Sequence, residues 1–137
     1  MNDREFVEAF EACAIARADF HHADHVRLAW IYLSEHPLID AIGRFTTSLQ
    51  RFAAHHNVPG LYHETITWAY LLLIRERMLR ADALGDWESF RAANGDLFAR
   101  APSILERYYS PETLKSDIAR RTFVLPDAGT AAGAPRT

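Results

Sequence analysis

The sequence predicts an all-α fold, an up-down bundle of four main helices followed by shorter C-terminal helices. Apolar residues recur every three to four positions along most of the 137 residues. The sequence contains neither strand-like alternation nor a glycine-rich phosphate loop. The segment ITWAYLLLI is apolar on all sides, which is typical of a helix at the centre of a bundle.

The first two predicted helices occupy the N-terminal part of the chain. A capping-box pattern that begins at Asn2 starts the first helix, and we expect this helix to end near Arg17. Asp19 is the expected N-cap of the second helix. His36 and Pro37 end the second helix, because the residue before a proline disfavours the helical conformation.

The third and fourth predicted helices form the centre of the bundle. In the third helix, which follows Pro37, apolar residues recur at helical spacing until the turn sequence HNVPG. The fourth helix is expected to extend from about Leu61 to Ala83. Its central residues, Leu71 to Ile74, are predicted to be buried.

Shorter helical segments are expected after the fourth helix. They are the segment DWESFRAAN, a segment from Pro102 to Tyr109, and the segment SPETLKSDIARRTF. Residues 1–126 are predicted to form a single helical domain. Residues 127–137 are small and polar, and we expect them to form a disordered tail.

Composition excludes several functional classes. The net charge of -3 provides no basic surface for a nucleic-acid backbone. A single cysteine, Cys13, excludes an intramolecular disulfide and a cysteine-based zinc site. No apolar segment approaches the ~20 residues that cross a bilayer, and the N-terminus lacks a signal sequence. The sequence therefore predicts a cytoplasmic protein that binds neither nucleic acid nor membranes.

Two parts of the sequence resemble each other. HVRLAWIYL, from His25, and HETITWAYL, from His63, share the pattern His-x-x-(Leu/Ile)-x-Trp-x-Tyr-Leu at an offset of 38 residues. A weaker third copy begins at Ala101. The pattern indicates either an internal helix-hairpin pseudo-repeat or a chance similarity between amphipathic helices.

The seven histidines all lie between His21 and His63. In an up-down bundle with short loops, the second and fourth helices start at the same end, where the third helix finishes. Six histidines and Glu64 would then gather at that end, with only His36 at the other. We expect the ring nitrogens of His25 and His63 to approach each other closely.

This histidine-rich end is a candidate metal site. His22 and His25 are three residues apart, so both can point from one helix face. With His63 they are the predicted ligands of a divalent metal, zinc or iron. Glu64 is a candidate fourth ligand or general base, and Tyr62 a candidate phenolic partner. A metal-free acid/base or ligand site and purely structural histidines are the alternatives.

Two functional hypotheses follow from the sequence. The first is a metal-dependent enzyme, or a metal-binding or small-ligand-binding protein, that uses the histidine-rich end. The second is a helical interaction module that binds a protein partner and whose histidines are structural. At most one of His55 and His56 is expected to face the site, because both adjoin a turn.

Several segments resemble a family of small, uncharacterised bacterial helical proteins. They are FHHADHVRLAWIYL, LYHETITWAYLLLIRERM, YYSPETL and ARRTFVLPD. The shared patterns are F-x-H-x-x-H, matched by Phe20, His22 and His25, and Y-H-E-T. The resemblance covers most of the chain up to Asp127 and implies no particular activity, cofactor or ligand.

Overall fold

A computed structural model describes residues 1–81 and 85–128. The described residues form helices and no β-strand, which confirms the all-α prediction. The α-helices are α1 (Asp3–Glu11), α2 (His22–Glu35), α3 (Leu38–His55), α4 (Glu64–Arg80), α5 (Trp87–Ala93), α6 (Pro111–Lys115) and α7 (Asp117–Arg121). Short 3-10 turns cover Arg17–Asp19, Pro59–Leu61, Gly95–Phe98 and Ile104–Arg107. None of the described helices combines the length and apolar character that a membrane span requires.

Helix α4 lies against several other helices of the described structure. It packs against α2, α3 and α7. Leu71 and Ile74 have 0% of their surface exposed, while Leu72 and Leu73 are half-buried. The predicted burial of this apolar segment is therefore confirmed.

Contacts between α2 and α4 establish their relative direction. The His22 ring lies beside the Tyr70 ring, and the Arg75 guanidinium donates to the Leu33 carbonyl. Residue numbers therefore increase in the same direction along both helices. The two helix starts are not level, however, because Tyr70 lies seven residues beyond His63, about 10 Å along the helix axis.

Helix α1 is shorter than predicted. It ends at Glu11, and Cys13 adopts a φ of 55°, in the left-handed region that an α-helix cannot continue through. The predicted end near Arg17 is wrong, since Arg17–Asp19 form a separate 3-10 turn.

Helix α2 also begins later than predicted. His21, not Asp19, is the N-cap residue, and the helix starts at His22. The Asp24 carboxylate accepts a hydrogen bond of 2.9 Å from the His21 backbone N–H. This bond satisfies a donor near the helix start, so the capping acceptor comes from inside the first turn.

Helix α4 starts at Glu64, whereas the sequence predicted a start near Leu61. The residues before it, Pro59–Leu61, form a 3-10 turn. The described part of the helix ends at Arg80. The predicted end at Ala83 lies outside the described residues.

The C-terminal segments are more divided than the sequence predicted. Ser116 caps α7 by accepting a hydrogen bond of 3.2 Å from the Ala119 N–H, so SPETLKSDIARRTF forms two helices. The segment from Pro102 to Tyr109 contains a 3-10 turn at Ile104–Arg107 instead of an α-helix. The weak third copy of the internal pattern therefore lacks the helical structure of the other two.

Hydrogen bonds attach the C-terminal segment to α4. The fully buried Thr65 hydroxyl donates to the Thr122 carbonyl at 2.7 Å and accepts from the Val124 N–H at 3.1 Å. Farther on, the Asp127 carboxylate accepts from the Ser110 N–H at 2.9 Å. The remainder of the predicted tail, from residue 129, lies outside the described residues.

Candidate functional site

A cavity of about 520 Å³ lies among α2, α3 and α4. This volume is within the range of small-molecule binding sites. Apolar side chains from all three helices line it, including Val26, Ala29, Phe45, Leu49, Phe52, Ile66, Leu71 and Ile74. The walls are therefore suited to the apolar part of a ligand.

The polar lining of the cavity is basic or neutral. It consists of Arg17, His21, His22, His25, Tyr62, His63, Thr67, Tyr70 and Arg100. Among the described residues that line the cavity, none is Asp or Glu. The cavity therefore brings together four of the histidines that the sequence singled out, without an acidic neighbour in its lining.

His22 is held by the segment that follows α5. Its Nε2 donates to the Leu97 carbonyl at 2.9 Å, and its ring meets the edge of the Tyr70 ring at a centroid distance of 5.1 Å. A carbonyl can only accept, so Nε2 carries the hydrogen and, in the neutral ring, Nδ1 keeps its lone pair. His22 can therefore accept one hydrogen bond from a ligand.

The pKa of His25 is strongly lowered. Its ring lies on the Phe20 ring at a centroid distance of 4.2 Å and stays partly exposed, and neither ring nitrogen forms a hydrogen bond with another described residue. Burial lowers the pKa of His25 from 6.5 to about 4, with smaller contributions from His22 and the positive charge of Arg100. At neutral pH this imidazole is uncharged, with one N–H donor and one lone pair.

Both ring nitrogens of His63 form hydrogen bonds with backbone groups. It is the N-cap of α4, where its Nδ1 accepts from the Ile66 N–H at 3.1 Å. Its Nε2 donates to the Leu114 carbonyl at 2.7 Å. Both ring nitrogens are thus occupied, and no lone pair is left for a metal ion.

The predicted metal ligands do not form a ligand set. Across residues 1–81 and 85–128, no three His, Cys, Asp or Glu side chains are grouped so that they could hold a metal ion. His22, His25 and His63 line one cavity, but His63 would have to give up one of its two backbone bonds to ligate. The described donors therefore do not fit the expected zinc or iron site.

The side chains of Tyr62 and Glu64 are hydrogen-bonded to each other beside the cavity. The Tyr62 hydroxyl donates to Glu64 Oε1 at 2.5 Å. Burial and this bond to a carboxylate raise the pKa of Tyr62, so the phenol stays protonated at neutral pH. Tyr62 lines the cavity, but Glu64 is not among the lining residues. The predicted role of Glu64 as a general base in this cavity is therefore not supported.

The two histidines at the end of α3 have other contacts. His56 donates through Nε2 to the Ile15 carbonyl at 3.1 Å, and its ring packs on Phe52 at a centroid distance of 4.4 Å. His55 is exposed. Neither is among the residues that line the cavity.

Sequence reasoning missed the two arginines of the cavity. Arg17 was placed at the end of a helix, and Arg100 lies in a loop without periodic pattern. The loop is held on both sides of Arg100, by the His22–Leu97 bond and by a bond of 3.0 Å between Tyr70 and Ser103. Contacts of this kind leave no spacing signal in the sequence.

Comparison of the chain with protein-family models, curated proteins and solved structures gave no match of any of the three kinds. The resemblance to a bacterial family stays a prediction.

Proposed function

We propose that this protein binds a small organic ligand in the cavity among α2, α3 and α4, with His25 as the principal polar contact. The observation that supports this is an uncharged His25 without a hydrogen-bond partner among the described residues, on the wall of a cavity of about 520 Å³. His25 is only partly buried, so a ligand in the cavity can reach the unpaired donor and lone pair of its ring.

The low basicity of His25 favours ligand binding over acid-base catalysis. A general base is most effective when its pKa lies near the working pH. A pKa of about 4 makes His25 a weak base at neutral pH, although it remains a good hydrogen-bond partner. Glu64, which the sequence predicts as a candidate general base, accepts a hydrogen bond from Tyr62 and does not line the cavity.

A neutral fluorescent probe, N-phenyl-1-naphthylamine, tests the proposal. Its emission increases on transfer to an apolar site, and we expect saturable binding with one probe per chain. Ala53→Phe fills the cavity, whereas Ala54→Phe places the same side chain at the neighbouring exposed position of α3. We expect Ala53→Phe to weaken binding at least tenfold and Ala54→Phe to leave it within twofold.

The controls separate cavity filling from misfolding. Circular dichroism and thermal unfolding establish whether each variant is folded. If Ala53→Phe does not fold, Val58→Phe fills the same cavity from the turn after α3. Absence of saturable binding of both the neutral probe and its sulfonated analogue to the wild-type protein would refute the proposal.

A further inference from the structure

We infer that the ligand of this cavity is an organic anion, with an apolar body among the helices and a single anionic group at Arg100. This inference rests on the proposed ligand-binding function and names the chemical class of the ligand. Three features of the cavity support it: the two arginines in the lining, the position of Arg100 relative to the histidines, and the apolar side chains of the walls.

The first feature is the pair of arginines in the lining. Within the described residues, neither Arg17 nor Arg100 forms an ion pair with a carboxylate, whereas Arg27 pairs with Asp3 at 2.9 Å. Both cavity arginines are exposed and can reorient toward a ligand. A guanidinium presents a fork of donors that matches a carboxylate or a sulfonate.

The second feature is the position of Arg100 relative to the histidines. Arg100 and His25 line the same cavity, and Arg100 lies three residues beyond Leu97, whose carbonyl accepts a hydrogen bond from His22. An anion bound to Arg100 from within the cavity can also accept a hydrogen bond from the neutral His25 ring. No Asp or Glu is among the described lining residues, and Glu64, beside the cavity, accepts a hydrogen bond from the Tyr62 hydroxyl.

The third feature excludes small inorganic anions and polyanions as the main ligand. Phe45, Leu49, Leu71 and Ile74 lie in the walls, and burial of apolar ligand surface against them contributes about 25 cal/mol per Å². Phosphate or sulfate would leave these walls unoccupied. A polyanion would place several charges in a cavity that has two arginines.

Two matched probes test the charge of the ligand. 8-Anilino-1-naphthalenesulfonate differs from N-phenyl-1-naphthylamine by its sulfonate group alone. We expect the wild-type protein to bind the sulfonate at least tenfold more tightly. Arg100→Gln should reduce the affinity for the sulfonate about tenfold and leave that for the neutral probe within twofold.

Arg51→Gln is the matched control, because Arg51 is an exposed residue of α3 outside the cavity lining and the substitution changes net charge equally. We expect it to change the affinity for the sulfonate by less than twofold. If Arg100→Gln does not fold, Arg17→Gln removes the other cavity arginine, with a loss of at least threefold expected.

The outcomes distinguish the two proposals. Equal affinities for the two probes, or equal losses in Arg100→Gln and Arg51→Gln, would overturn the anion inference while the cavity remains a ligand site. Failure of both probes to bind the wild-type protein would instead overturn the proposed function. Displacement of the bound sulfonate by 1-naphthaleneacetate, but not by 1-naphthaleneacetamide, would extend the result to carboxylates.

Discussion

Lowering the pH from 7 to 4 is expected to destabilise the folded protein through His25. Burial lowers the pKa of this residue to about 4, whereas an imidazole in the unfolded chain has a pKa of 6.5. Between these values the unfolded state binds a proton that the folded state does not, so the free energy of unfolding falls as the pH falls. Above about pH 7 and below about pH 4 the contribution no longer changes.

The size of the effect follows from the two pKa values. At about 1.36 kcal/mol per pH unit, the difference between 6.5 and about 4 corresponds to about 3 kcal/mol. A domain of this size has a total stability of about 5–15 kcal/mol. A single histidine therefore accounts for a measurable share of the acid sensitivity of the protein.

Urea unfolding of the wild type and of His25→Gln at pH 7, 6, 5 and 4 measures this contribution. The glutamine does not titrate, so the difference between the two proteins should change by about 3 kcal/mol in favour of the variant between pH 7 and pH 4. His55→Gln, at an exposed position, should show a change of less than about 0.5 kcal/mol. A pH-independent difference for His25→Gln, or an NMR titration midpoint of 6 or above for His25, would refute the reasoning.

Two further substitutions test the contacts that hold the site. Thr65→Val removes the bonds to the Thr122 carbonyl and the Val124 N–H, and should cost about 2 kcal/mol in urea unfolding and accelerate amide exchange at Val124. A cost below about 0.5 kcal/mol would contradict this role. His63→Ala removes the helix cap and the bond to the Leu114 carbonyl and should also cost about 2 kcal/mol, of which His63→Asn should restore about half. Stoichiometric zinc binding by the wild type that is abolished in both His63 variants, without a loss of stability, would instead favour the metal hypothesis.

The sequence predicted best the helices whose burial is periodic. In α3, Ile42, Phe45 and Leu49 recur at helical spacing, and all three are buried. Helix ends were predicted less well, because a single residue sets each of them. The positive φ of Cys13 and the capping hydroxyl of Ser116 end or divide helices without any change in the apolar pattern.

The candidate site was predicted only in part, for a related reason. Four of the histidines line one cavity, whereas six histidines and Glu64 were expected from the sequence to gather at one end of the bundle. The metal prediction assumed that ring nitrogens close in the fold are free to ligate. In the structure, backbone groups of Ile66 and Leu114 occupy both nitrogens of His63. Every residue has such backbone groups, so the sequence gives no signal of which side chain they will bind.

The length of the short loop that contains Arg100 could set how ligand preference differs among related chains. The two hydrogen bonds that hold it, one from His22 to the Leu97 carbonyl and one between the Tyr70 and Ser103 hydroxyls, enclose only five intervening residues. Insertion or deletion of one residue between these bonds would move the guanidinium by up to about 3.5 Å, while the cavity walls stay unchanged. Loop length would then determine where along the cavity an acidic group is recognised, and so the length of the molecule that fits. Selection could adjust ligand size in this loop at little cost to the packing of the helices.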